Sequence, residues 1–191
     1  MDIMKQDEIA NYLLRKGYGQ LFLQTSDDIN LLWNNLSVRN NLYEIILNET
    51  YMTIQRFLAS EIFFIKENTF PFPDTYSILS TIYATQLADS VSLQANIWCM
   101  PGYYCGESGK NIIRIGNTII PNLISLLSQK DYVYYEGSEE ATLGNEFKYR
   151  INDLAAYFIC QICHLDYKIK INEYERDEEI NKIKIIMRIN S

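Results

Sequence analysis

The sequence predicts an all-α protein, an irregular multi-helix solenoid or bundle of about seven or eight helices with at most a minor β element. Three observations carry this. Apolar residues recur at helical spacing over most of the chain, only two short runs read as strands, and one segment, 149–165, is apolar on nearly every side. At 191 residues the chain is long enough for a self-sufficient core. It is read as a single all-α domain over 1–191, because no linker or shift in composition divides it.

In chain order, Ile9, Tyr12 and Leu13 give a first, weak stripe closed by Gly17 and Gly19. Ile29, Leu32, Trp33 and Leu36 fall at i, i+3, i+4 and i+7, behind Ser26 and Asp27 as candidate N-caps. Val38, Leu42, Ile45 and Ile46 form the next stripe. Residues 51–66 make a longer helix through Ile54, Phe57, Leu58, Ile62 and Ile65. It stops before Phe70-Pro71-Phe72-Pro73, since two prolines two residues apart cannot continue it. Asp74 and Thr75 restart a helix with Tyr76, Leu79, Tyr83 and Leu87 on one face.

In the second half, Asn117 or Thr118 caps a helix carrying Ile120, Leu123, Ile124 and Leu127, with Pro121 in its first turn, where a missing N–H costs nothing. The segment 149–165 carries Ile151, Leu154, Ala155, Ala156, Phe158, Ile159 and Ile162, and such a helix belongs at the centre of the fold. The strand-like runs are 131–135 and 167–171. Glu178 stands four residues before Lys182, a helical pairing, yet 183–189 also suits a strand. The segment 167–191 is therefore open between helix and strand.

Charge narrows the function. Twenty-four acidic against 17 basic side chains give a net charge of −7, which argues against sequence-independent binding to nucleic acid and fits a cationic partner. Lys5, Asp7, Glu8, Arg15 and Lys16 interrupt any signal-peptide core. No window approaches the roughly 18 apolar residues of a membrane span. The expected setting is the cytoplasm, with Cys99, Cys105, Cys160 and Cys163 reduced.

The motifs carry no catalytic signature. Cys160-Gln161-Ile162-Cys163-His164 matches the haem-attachment pattern, but that chemistry follows export, and these cysteines lie in the most apolar helix, where thiols behave as small hydrophobes. A zinc site would need a second close pair, whereas five residues separate Cys99 from Cys105. His164 is the sole histidine; its helical partner for a nucleophilic pair is Cys160 at i−4, and a histidine at a helix end needs no such role. Gly106-Glu107-Ser108-Gly109-Lys110 fails as a phosphate loop, with Tyr104 at its first glycine position and Asn111 at the metal-binding hydroxyl. It reads as a flexible turn before a helix. No cofactor and no metal are expected.

Two connectors, 89–116 and 129–148, exceed the roughly 12–15 residues usual for a structureless loop. They carry Trp98, Tyr103, Tyr104, Tyr132, Tyr134 and Tyr135, which is not a disordered composition, together with Glu136, Glu139, Glu140 and Glu146. These ten residues are the candidate partner-binding set: ordered, lying at the surface, with tyrosines as anchors and glutamates to meet a basic face.

Ile119-Ile120-Pro121-Asn122-Leu123-Ile124-Ser125-Leu126-Leu127, followed by Arg150-Ile151-Asn152-Asp153-Leu154-Ala155-Ala156, resembles a HEAT-type helical repeat. Such repeats pair an I-P-x-L-x-x-L-L helix with one beginning R-x-x-D-x-A-A. Pro121, Asp153, Ala155 and Ala156 fall on those positions, although the connector 129–148 replaces the family's short turn. The resemblance implies a binding scaffold. Small acidic HEAT-like bacterial proteins resemble immunity proteins, and 27 isoleucines and 17 asparagines match an AT-rich bacterial genome. The expected function is non-catalytic binding of another protein, specifically a toxin effector domain with a basic surface, whose active or substrate-binding site is occluded. The alternative is an enzyme or small-molecule-binding protein with a pocket roofed by 89–116, using Cys105, Glu107 and His164.

Overall fold

The structure, a computed structural model, describes residues 5–24, 27–89 and 95–188. It is all-α, with a single two-stranded β element among those residues. No helix in the described residues is long and apolar enough to cross a membrane. By internal contacts the chain divides into two compact units, Met1–Gln86 and Leu87–Ser191, with the boundary inside one helix.

The first unit holds α1 (Gln6–Tyr18), a π-turn (Gly19–Leu23), α2 (Asp28–Asn34), α3 (Leu36–Leu47), α4 (Thr53–Lys66) and most of α5 (Tyr76–Ala88). The predicted stripes are the packed faces. Ile9, Leu13, Leu42, Ile45, Ile46, Phe57, Leu58 and Ile62 are fully buried where α4 meets α1 and α3. What the periodicity joins, local chemistry splits. The 29–36 stripe breaks at Asn35, whose side chain accepts from the Ser37 and Val38 amides at 3.0 and 3.3 Å and starts α3. Leu36 is left exposed. Of the proposed caps before α2, Asp27 takes the N-cap position and Ser26 lies outside the described residues. Gly17, at φ 65°, kinks α1 rather than ending it.

The second unit is built on α9 (Ile151–Cys163). Leu154, Ala155, Ala156, Phe158, Ile159 and Cys160 are fully buried on it. Around it pack α6 (Glu107–Ile115), α7 (Ile120–Leu126) and α10 (Glu173–Ile186). Within the open C-terminal segment, Glu173–Ile186 is thus the helix α10, started by the Asn172 side chain accepting from the Tyr174 amide at 2.8 Å. Neither strand-like run forms a strand. Residues 131–135 make only an antiparallel bridge, Tyr132 to Arg150, and 167–171 is irregular.

In their described residues, 95–116 and 129–148, the long connectors are ordered but are not loops. The first contains a 3-10 turn (Ala95–Ile97), a β1–β2 hairpin (Cys99–Met100 and Tyr104–Cys105) and α6; the second contains α8 (Ser138–Phe147). In the hairpin Cys99 lies opposite Cys105, and the two are joined as a disulfide. The expectation that all four cysteines stay reduced is corrected here. Antiparallel pairing sets these two side chains face to face, and their sequence separation gave no hint of that.

Cys160 is a buried thiol, and burial pushes its pKa up to about 11. At pH 8 only about a thousandth of it is thiolate. Iodoacetamide on the folded protein should therefore modify the half-buried Cys163 and spare Cys160, read by mass spectrometry. Modification of both at similar rates would contradict this burial.

Candidate functional site

The two aromatic connectors meet within the second unit and are sewn together along their backbones. Ala95 donates its amide to the Tyr134 carbonyl at 2.9 Å. The Asn96 side chain spans the Glu136 backbone, donating to its carbonyl and accepting from its amide, both at 2.8 Å. The Tyr135 hydroxyl donates to the Cys99 carbonyl at 2.8 Å, and the Tyr149 hydroxyl to the Pro101 carbonyl at 3.2 Å. Tyr103 packs edge-on to Phe147, which stacks on Tyr149 at 5.2 Å between ring centroids.

This stitching decides which predicted residues are available. Trp98 and Tyr135 are only 2% and 3% exposed, so the expectation that they lie at the surface is corrected. Tyr135 turns inward because its hydroxyl finds a carbonyl partner there, which removes the cost of burying it, and burial raises its pKa well above the ordinary value. Tyr104 is half-buried in β2. Tyr103, Tyr132 and Tyr134 remain 51%, 43% and 67% exposed. Glu136, Glu139 and Glu146 are exposed at and along α8, and the Glu140 side chain lies outside the described residues.

Between the 132–134 segment and the end of α8 lies a cleft of about 360 Å³, lined by Tyr132, Val133, Tyr134, Asn145 and Lys148. Helix α8 sits close because Gly144 has no side chain; a Cβ there would fall 2.3 Å from Cδ2 of Tyr135. The start of α6 obeys the same rule, since a Cβ at Gly109 would come within 2.4 Å of the Trp98 carbonyl oxygen. The glycines of the 106–110 segment therefore serve close approach, not flexibility.

A buried ionic network underlies the surface. Asp153, fully buried, accepts from the Arg150 amide, Nε and Nη2 at 2.9, 3.1 and 2.9 Å and from Arg176 Nε at 3.0 Å. Arg150 also reaches Asp177 at 2.8 Å, and Asp177 holds Lys130 at 2.8 Å. Arg176 donates on to the backbone carbonyls of Lys148 and Lys170 and lies over the Tyr149 ring. Sequence reasoning took Asp153 for a dipole partner only; Arg176 is 23 residues away and carries no local signal. The network fixes the base of the tyrosine segment, and Tyr132 donates from its hydroxyl to Glu173 of α10 at 3.1 Å.

The residues of the enzyme alternative have other engagements. Cys105 is in the disulfide, Glu107 pairs with Lys110 at 2.6 Å, and His164 caps α9 in the left-handed conformation, exposed. Among the described residues no group of three His, Cys, Asp or Glu side chains is placed to hold a metal ion. Compared with protein-family models, with curated proteins and with solved structures, the chain matches none.

Proposed function

We propose that this chain is a non-catalytic protein-binding module, and specifically an immunity protein that occludes a basic active or substrate-binding site on a toxin effector domain. One observation carries the reading. Tyr103, Tyr132 and Tyr134 stand out from a hydrogen-bonded and ion-paired frame, beside a helix that exposes Glu139 and Glu146. Rigid tyrosines offer contact area at low entropic cost, and the carboxylates steer a basic partner in. Helix α7 packs on α9, where Ala155 and Ala156 are buried, and this close helix pairing supports reading the unit as a rigid scaffold. A net charge of −7 supports a basic protein partner over nucleic acid. A cytoplasmic setting belongs to the proposal, and thiol trapping in denaturant on lysis tests it: two alkylated cysteines mean that the Cys99–Cys105 pair is closed in the cell, which counts against that setting, and four mean that it is open.

The test begins with a partner captured from the source organism and identified by mass spectrometry, followed by association kinetics at several salt concentrations. A Glu136→Lys/Glu139→Lys/Glu146→Lys variant should associate about tenfold more slowly at low salt and differ little at high salt. Tyr134→Ala should weaken binding by about 30-fold through faster dissociation. Unchanged kinetics in both variants would remove this surface from the interface.

A further inference from the structure

The first unit carries a site that the sequence reading passed over. Trp33 of α2, Tyr43 of α3, Phe63 of α4 and Phe72 of the α4–α5 turn line one cleft of about 380 Å³, with Arg39, Asn40, Glu44 and Glu67 at its polar side. Such a volume suits a small ligand. The rings are set as walls rather than stacked. Trp33 meets Phe63 at 82°, Tyr43 meets Phe72 at 61°, and Phe63 meets Phe72 at 83°, with centroids 5.0–6.5 Å apart. Phe63 is almost fully buried and forms the floor, whereas Trp33, Tyr43 and Phe72 are half-exposed.

We propose that this cleft binds an organic cation of the quaternary-ammonium type, held by the ring faces and by the charges of Glu44 and Glu67. Aromatic faces attract cations through their quadrupole, most strongly where the ion leaves water, and an ion without N–H groups loses least on entering a wall of ring carbons. The protein already makes one such contact with its own side chain, since the Arg39 guanidinium lies 5.2 Å from the Trp33 ring centroid. Glu67 acts as a charge more than as a hydrogen-bond acceptor. Its Oε1 takes the Thr69 amide and hydroxyl at 3.2 and 2.7 Å, and these bonds hold its carboxyl below the ordinary value. The Tyr43 hydroxyl donates to Asp74 at 2.9 Å, which fixes that wall. The lining carries two carboxylates, Glu44 and Glu67, against the one guanidinium of Arg39, and Asp74 lies behind Tyr43, so the lining is net negative by one charge. A cation is the complement.

The chain has two tryptophans, and Trp98 is buried in the second unit, so the two indole N–H peaks of ¹⁵N-labelled full-length protein form an internal control. Choline should shift the Trp33 peak saturably in the millimolar range and leave the Trp98 peak in place. Its neutral isostere 3,3-dimethylbutan-1-ol should bind at least about tenfold more weakly, because it lacks the charge that the rings recognise. Glu44→Gln and Glu67→Gln, both on the exposed side, should each weaken choline binding about threefold. Tyr43→Phe should keep most of it and Tyr43→Ala lose about tenfold. A trimethyllysine peptide binding much more tightly than choline would assign the cation to a protein chain; equal affinity would assign it to a free small-molecule quaternary ammonium ion. The proposal is overturned if the alcohol binds as well as choline, if neither glutamine variant changes affinity, or if benzoate rather than choline shifts Trp33. None of these outcomes bears on the tyrosine surface of the second unit, so the two readings fail separately.

Discussion

Asp153→Ala should destabilise the protein by about 3–5 kcal/mol, the largest effect expected from any polar substitution in the second unit. Asp153 is fully buried and accepts four hydrogen bonds from two guanidinium-bearing residues that are themselves 2% and 1% exposed. Removing the carboxylate leaves two buried cations answered by Asp177, by the more distant Glu173 at 4.0 Å, by the Tyr149 ring and by backbone carbonyls, none of which replaces the central acceptor. Asp153→Asn retains a side-chain acceptor and should fall between wild type and Ala. Replacing the whole set, Arg150→Met/Asp153→Leu/Arg176→Met, should cost far less than Asp153→Ala alone, because an apolar cluster needs no desolvated charge. Urea unfolding measures all three, and a loss below about 1 kcal/mol for Asp153→Ala would mean the network is solvated rather than buried.

The network also sets a pH dependence. Burial pushes the Asp177 carboxyl up, but hydrogen bonds from Lys130 and Arg150 together outweigh it and hold the group below its ordinary value. A depressed carboxyl gives stability that is complete above the ordinary carboxylate pKa of about 4 and is lost as pH falls through the lower folded value. The effect is modest, since the Asp177 side chain is a third exposed.

How far the molecule could be read in advance depended on whether the deciding partner was near in sequence. Helix α9 was plain because its apolar residues run round the whole helix and no partner had to be known. Helix α8 was not, because its short apolar face, Leu143 and Phe147, is framed by glutamates, and its seat is the Gly144–Tyr135 approach. Tyr135 and Trp98 were placed at the surface for a similar reason. A tyrosine in a connector is amphipathic, and what turns Tyr135 inward is a carbonyl 36 residues away. The Arg150–Asp153 half of the ionic network lies within one helical turn and was visible as a motif, whereas Arg176 enters only through α10 docking on α9. The aromatic cleft draws on three helices and a turn, and the Phe70–Pro73 run showed its chain-breaking prolines more loudly than its rings.

Phe57→Ala tests the first unit in the same terms. Phe57 is fully buried on α4, with its ring 5.1 Å from Tyr83 edge-on and 6.1 Å from Tyr18 in a stacked arrangement. Both tyrosines donate their hydroxyls to the buried Glu61, so Phe57 packs the rings that carry those donors as well as filling the core. Truncation removes the transfer energy of the ring, leaves a cavity and loosens the support of that carboxylate, and should cost about 3–5 kcal/mol. Phe57→Leu, which refills most of the volume, should cost less than half as much. A single domain over 1–191 requires that Phe57→Ala and Asp153→Ala lower one shared unfolding transition, and that their losses add to within about 0.5 kcal/mol in the double variant. Far-ultraviolet circular dichroism and tryptophan fluorescence should then trace the same curve. Two separated transitions, with Phe57→Ala moving only one and Asp153→Ala only the other, would instead make Met1–Gln86 and Leu87–Ser191 independent folding units.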